Sequence, residues 1–167
     1  ILRPGGAETR FTYELGAPIS RVITTVKEEL GGGTFDSYAY FDGYGRGLGA
    51  KVEAEDGQLR VLDAVTFNNR KMELNHWLPY FTTTNEYEPP DAKMPYQSMS
   101  YDAKGRRTET VNPDGTVARL SFAPLIQHWF DENDTADMAR PTTRRNDGLD
   151  RLIEFIERNG ADEYVTR

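Results

Sequence analysis

A six-residue motif recurs along this chain and restricts its fold more than any other feature. The motif is an aromatic residue followed by Asp-x-x-Gly-Arg. One copy is Phe41-Asp42-Gly43-Tyr44-Gly45-Arg46 and another is Tyr101-Asp102-Ala103-Lys104-Gly105-Arg106. A third, Asn146-Asp147-Gly148-Leu149-Asp150-Arg151, has Asn for the aromatic and Asp for the glycine. Phe67-Asn68-Asn69-Arg70-Lys71 is a weaker copy, and Phe130-Asp131-Glu132-Asn133-Asp134 begins in the same way and then departs. A turn dipeptide keeps step with the three main copies: Asp114-Gly115 starts 13 residues after Tyr101, Asn159-Gly160 starts 13 after Asn146, and Asp56-Gly57 starts 15 after Phe41. Internal periodicity of this kind marks a repeat architecture.

The chemistry of the unit explains why it folds. Asp-x-x-Gly and Asp/Asn-Gly are turn formers, the carboxylate accepting from backbone N–H groups just ahead of it and glycine supplying positive φ. The arginine opens the next strand, where its stem is expected to lie over neighbouring rings. Between turns the residues alternate as in strands. Arg107–Val111 and Val117–Phe122 read as a hairpin around Asn112-Pro113-Asp114-Gly115. Arg10–Tyr13 and Arg21–Glu28 read as strands, and Ser37–Phe41 is expected to pair with the latter through Gly31-Gly32-Gly33. Leu59–Phe67 reads as one long strand. Two stretches interrupt the rhythm as loop excursions, Leu78–Pro95 with its four prolines and Thr135–Thr143.

These signals predict an all-β, mainly antiparallel fold with few or no helices. The whole of 1–167 is one repeat segment of a larger chain, with repeat-like units near 10–57, 58–100, 101–145 and 146–167. Residues 147–158 carry a conflict. Leu149, Leu152, Ile153 and Ile156 share one helical face, with Asp147 at its start and Asn159-Gly160 suited to its end. Parity with the other copies favours a strand pair, and that is the expectation adopted.

Composition narrows the function. Only 37% of residues are hydrophobic, so the core is modest, but nine Tyr, eight Phe and two Trp spread along the chain argue against disorder. A net charge of −7 without a strong basic cluster disfavours nucleic acid as a partner. With no cysteine there is neither a disulfide nor a thiolate metal site, and no apolar run is long enough to span a membrane. No signal peptide is visible, and a start at Ile1 rather than Met suggests a mature fragment or a piece of a longer protein.

The inventory for chemistry is thin. His76 and His128 each precede a tryptophan and read as packed or surface residues. No serine sits in a nucleophile elbow. Asp131, Asn133 and Thr135 alternate as calcium ligands do, but position six of the run is Ala136 and position twelve is Thr142, so the loop departs from the EF-hand pattern. Gly45, Gly47 and Gly49 begin like a nucleotide loop and then fail at Ala50. Tyr38, Tyr40, Tyr44, Trp77, Tyr80 and Tyr87 are candidates for stacking on sugars, although aromatics in a strand repeat are more often core. No catalytic, cofactor-binding or metal-binding residue is assigned. The residues singled out are the structural turns: Asp42, Gly45, Arg46, Asp56, Gly57, Asp102, Gly105, Arg106, Asp114, Gly115, Asp147, Arg151, Asn159 and Gly160.

The order of these motifs resembles the YD-repeat (RHS) family. More narrowly it resembles the repeat region of the B component of bacterial insecticidal Tc toxin complexes, over roughly residues 8–167. The resemblance rests on Phe41–Arg46, Tyr101–Arg106, Asn112-Pro113-Asp114-Gly115-Thr116, Asp131–Thr135 and Asp147–Leu152. Departures are Gly47, Asn146 and Asp150. The resemblance implies a spiralling β-sheet that helps close a hollow shell around a toxic polypeptide, secreted or at the bacterial cell surface. The implied partners are the rest of the parent chain and its toxin-complex components. The family's self-cleaving protease is marked by Asp-Pro-x-Gly, which does not occur here, so no catalytic role is carried over. The alternative is an extracellular β module that binds carbohydrate or cell surfaces through exposed aromatics.

Overall fold

The computed structural model describes residues 8–27, 33–134, 140–159 and 162–167. Among them the regular structure is all strand apart from a 3-10 turn at Glu55–Gly57, and the strands pair antiparallel. The expected all-β fold is therefore present. The chain divides into two compact units, Ile1–Tyr96 and Gln97–Arg167.

The first unit holds a six-stranded sheet. Its strands are β1 (Glu8–Glu14), β2 (Ile19–Lys27), β3 (Thr34–Asp42), β4 (Gly47–Glu53), β5 (Leu59–Leu62) and, beyond β5, β8 (Tyr80–Thr82). The β2–β3 pair is the longest, running without a break from Ile19↔Asp42 to Lys27↔Thr34. Gly31 and Gly32, between these strands, lie outside the described residues. A hairpin outside this sheet, β6 (Val65–Phe67) with β7 (Glu73–Trp77), follows β5.

The expected single strand over 59–67 is two strands. Asp63 adopts φ 50 and bends the chain, so Leu59–Leu62 and Val65–Phe67 pair with different partners. Aspartate tolerates this left-handed conformation better than most residues, and alternation of apolar residues on both sides hides the bend. The proline-rich stretch 78–95 is likewise not all loop, because Tyr80–Thr82 pairs with β5.

In the first unit the buried side chains form two clusters. Tyr38, Tyr40, Leu48 and Leu59 make one, with Ile19, Ile23, Phe67 and Tyr87 packed on it. Val61, Ala64 and Trp77 make the other, with Tyr80, Met94 and Tyr96 around them.

The second unit is a meander in chain order. Following β9 (Tyr96–Tyr101) come β10 (Arg107–Val111), β11 (Val117–Ala123), β12 (Ile126–Phe130), β13 (Thr142–Asn146), β14 (Leu152–Asn159) and β15 (Asp162–Thr166). The contested stretch is strand: Thr143, Arg144 and Arg145 face Ile156, Phe155 and Glu154. Its helical periodicity loses because a two-sided strand needs only Ile156 inside, leaving Leu149, Leu152 and Ile153 exposed.

One connection in this unit is strained. Ala123 pairs with Ile126, leaving Pro124-Leu125 as a two-residue link, and exposed Leu125 sits at φ 60. An L side chain at that angle is disfavoured by about 1–2 kcal/mol, partly offset by the greater freedom of a glycine in the unfolded chain. Leu125→Gly is therefore expected to raise stability by about 0.5–1 kcal/mol, measured as a higher urea midpoint.

Candidate functional site: repeated hairpin loops and a strapped sheet face

One five-residue hairpin loop is built five times, at 42–46, 68–72, 102–106, 112–116 and 147–151. In each, the first residue's N–H donates to the fifth residue's carbonyl and the fourth residue's N–H donates to the first residue's carbonyl, all at 2.8–3.0 Å. The fourth position is always left-handed: Gly45, Lys71, Gly105, Gly115 and Asp150 have φ between 60 and 85. This is a tight turn followed by a one-residue bulge, and the ladder registers shift beside four of these loops.

In three copies an aspartate and an arginine lock the loop. Asp42 Oδ1 accepts from the N–H of Tyr44 at 2.9 Å and of Arg46 at 3.0 Å. Asp42 Oδ2 accepts from Arg46 Nε at 2.8 Å and Nη2 at 2.6 Å. Asp102 repeats the pattern with Lys104 and Arg106, and Asp147 with Leu149 and Arg151. The guanidinium groups of Arg46 and Arg106 lie 4.0 Å from the ring centroids of Phe67 and Phe122. One carboxylate thus ends a strand, caps a turn and aims a cation at an aromatic ring. Asn68 caps in the same way without a charge, accepting from Arg70 and Met72 N–H. At 112–116 the cap is moved inward, and Asp114 accepts from the backbone and the hydroxyl of Thr116.

The two dipeptide turns differ from these loops. Asp56 and Gly57 are both left-handed, the geometry of a two-residue hairpin turn between β4 and β5. Asn159 pairs with Asp162, which places 160–161 at the tip, and Gly160 lies outside the described residues.

The loops give the fold an acid sensitivity. At Asp42, desolvation acts to raise the carboxyl, but hydrogen bonds from the backbone and side chain of Arg46 outweigh it and hold the group below the ordinary aspartate range. The Arg106 backbone N–H leads the same effect at Asp102, and the Arg151 side chain leads it at Asp147. A carboxyl depressed in the folded state stabilises the fold above its unfolded pKa, and that contribution is lost as pH falls through the folded value. The urea midpoint should therefore drop as pH falls through and below the ordinary aspartate range. A variant carrying Asp42→Asn, Asp102→Asn and Asp147→Asn should show a flatter acid limb and a lower midpoint at neutral pH, by about as much as the wild type loses on acidification, because asparagine can keep the backbone cap, as Asn68 does at 68–72, but not the ion pair with arginine.

A second arrangement had no clear signal in the sequence. Residues 83–91 cross the face of the first sheet as a strap, held through three successive carbonyls. Lys51 Nζ donates to Thr84 O at 2.9 Å and Glu86 O at 2.6 Å. Between them, Asn85 O accepts from Tyr40 Oη at 2.6 Å and Arg21 Nη1 at 2.8 Å. Arg21 is itself paired with Glu14 and Glu86. Lys51 is 5% exposed and its ammonium lies 5.7 Å from the Tyr40 ring centroid. Burial pushes its pKa down, opposed by Glu88 and Glu86. Burial also pushes the Tyr40 phenol up to about 12, so it stays a donor. Beneath the strap is a cavity of about 190 Å³ lined by Tyr40, Lys51, Tyr80, Tyr87, Pro89 and Met94 among others. Lysine within an otherwise apolar strand, Gly49-Ala50-Lys51-Val52, was the only hint.

The other candidates are dispersed. His76 Nδ1 is 2.8 Å from Glu73 and His128 Nδ1 is 3.0 Å from Thr143, both partly exposed, and His128 stands opposite Ser121 in the β11–β12 ladder. Asp131 and Asp134 accept from backbone N–H groups of Asn133, Asp131 and Arg140. Thr135 lies outside the described residues, and among the described ones no group of three or more His, Asp or Glu gathers for a metal. The aromatics named for sugar stacking do not form a platform: Tyr38, Tyr40 and Trp77 are buried. Tyr44 is exposed, but Lys71 Nζ sits 3.8 Å from its ring centroid.

No family model matches the chain, and no curated protein matches it. Solved structures do. The crystal structure of TcdB2-TccC3 superposes on 100% of this chain with TM-score 0.78 at 20% identity. TcdB2-TccC3 without its hypervariable C-terminal region covers 89% of the chain with TM-score 0.75 at 21% identity. The Photorhabdus luminescens Tc holotoxin pore covers 89% with TM-score 0.76 at 21% identity. The chain spans only 9–10% of the length of those proteins. The resemblance drawn from the repeat motifs is thus met in three dimensions, and the fold of this chain is that of a stretch of the Tc toxin proteins TcdB2-TccC3.

Proposed function

We propose that this chain is a stretch of wall in an RHS-type, toxin-associated shell. It belongs to a larger parent chain, is secreted or displayed at the bacterial cell surface, and performs no catalysis of its own. The observation that carries the reading is the fivefold recurrence of one locked hairpin loop, joined to a fold similarity that extends over the whole chain. Such loops return the strand at short intervals and fix its register. A wall needs both properties, and it needs no cleft. The partners are the remainder of the parent chain and its toxin-complex components, and the cargo corresponds to the hypervariable C-terminal region named for the TcdB2-TccC3 structure.

The test uses the natural protein that contains this sequence. Limited proteolysis of the intact protein should spare its C-terminal region, and mild unfolding of the shell should expose that region to the same protease. Equal cleavage before and after unfolding would overturn the reading.

A further inference from the structure

An Asp-Gly step is a point at which a peptide chain can rearrange through its own side chain, because glycine leaves the following amide nitrogen unshielded. This chain has four: Asp42-Gly43, Asp56-Gly57, Asp114-Gly115 and Asp147-Gly148. The fold treats one of them differently. The carboxylates of Asp42 and Asp147 each accept from two backbone N–H groups and from Nε and Nη2 of an arginine. Asp114 Oδ1 accepts from the N–H of Thr116 at 2.9 Å and from its hydroxyl at 2.7 Å, while the Gly115 N–H is engaged by Asn112 O. Asp56 has no such lock. It is exposed at the tip of the β4–β5 turn, and among the described residues its carboxylate has no hydrogen-bond or ion-pair partner. The turn is also closed more loosely. Gln58 N–H donates to Glu55 O at 3.2 Å, against 2.8–3.0 Å in the five repeated loops.

We infer that Asp56-Gly57 is a site of spontaneous backbone modification, at which the folded protein converts aspartate to isoaspartate ahead of its other Asp-Gly steps. Rotation of Asp56 away from its present ψ of 30 brings the Gly57 nitrogen against the Asp56 Cγ. The nitrogen attacks Cγ of the protonated carboxyl. The N–Cγ bond forms, the bond from Cγ to the hydroxyl breaks, and the amide proton leaves with that hydroxyl as water. Water then opens the cyclic imide. Addition at the side-chain carbonyl restores aspartate, and addition at the backbone carbonyl leaves the chain running through Cβ and Cγ. Only water is needed as a co-reactant. At the other three steps the carboxyl must first give up donors that favour its charged, unreactive form. Desolvation is outweighed at Asp42, the Arg151 side chain leads at Asp147 and the Thr116 hydroxyl leads at Asp114, so all three carboxyls lie below the ordinary aspartate range. The rearrangement has a structural consequence. An added backbone atom mismatches a turn that fixes the register of β4 with β5. Strand β5 carries the buried Leu59 and Val61 and pairs with β8 on its far side.

The test ages the natural protein that contains this sequence, folded, at a pH a little above the ordinary aspartate range, beside a urea-unfolded control. Incubation lasts until the control shows isoaspartate at all four steps. Trypsin then places the steps in separate peptides, Glu28–Arg46, Val52–Arg60, Thr108–Arg119 and Asn146–Arg151. Isoaspartate is told from aspartate in each by its elution and by electron-transfer fragmentation. The folded protein should carry about tenfold or more isoaspartate in Val52–Arg60 than in any of the other three, the factor that losing one hydrogen bond to a charged group imposes. The urea control should show similar yields in all four, because there every step is the same dipeptide without a lock. Equal yields in the folded protein, a higher yield at any of the other three steps, or a preference for Asp56 that survives in urea would overturn the inference.

Discussion

Lys51→Met should lower the urea midpoint of the first unit sharply, by the equivalent of about 2–4 kcal/mol. Methionine keeps nearly the same length and apolar contact, so the stem's packing on Tyr40 survives. What it removes is the donor for two carbonyls, Thr84 O and Glu86 O. Both strap carbonyls, partly buried where they meet the sheet, would lose their side-chain donor, and an acceptor left unpaired there carries much of its desolvation penalty. Lys51→Arg should not rescue the loss, because a planar fork does not fit where a compact ammonium reaches two carbonyls from one point. Tyr40→Phe removes a single donor to Asn85 O, which Arg21 still serves, so its cost should be nearer 1 kcal/mol. That ordering, Lys51 well above Tyr40, is the expected result of equilibrium unfolding followed by tryptophan fluorescence. Equal costs would mean that the strap is held by its apolar residues and not by its carbonyls.

The sequence revealed the local half of this structure and concealed the long-range half. Each locked loop is written within five residues, and Asp42, Gly45 and Arg46 specify their own geometry wherever they fall. The spacing of those loops then predicts strands between them. It cannot show that Lys51 faces Thr84 and Glu86, because 33 and 35 positions separate them in the chain. The same blindness explains the two corrections in the first unit. Asp63 bends a run that alternates correctly on both sides, and Tyr80–Thr82 becomes a strand only because β5 offers an edge. In residues 152–158 two patterns competed, and the loop at 147–151 decided between them by returning the chain against β13. Even where glycine gave way, at Lys71 and Asp150, the loop kept its left-handed fourth position, so the motif is broader in geometry than in letters.

Trp77→Ala should be the most damaging single change in the first unit, costing about 3–5 kcal/mol. The indole is 5% exposed and fills the second core cluster with Val61 and Ala64. It meets the Tyr96 ring at 5.0 Å between centroids, and its Nε1 donates to Asp91 O at 3.0 Å. Leu78 N–H donates to Pro95 O beside it, so this cluster anchors the end of the excursion whose beginning Lys51 holds. Trp77→Phe separates the two contributions: it keeps most of the apolar area and loses the Asp91 bond, with an expected cost of about 1–2 kcal/mol. Combined with Lys51→Met, Trp77→Ala should fall short of additivity, because once either end of the segment 83–96 is released the contacts at the other end are already weakened. A double-mutant cycle by urea unfolding measures this coupling directly. Strict additivity would show that the strap and the Trp77 cluster stabilise the sheet independently, and the strap would then be a local feature of β4 rather than one clamp fastened at both ends.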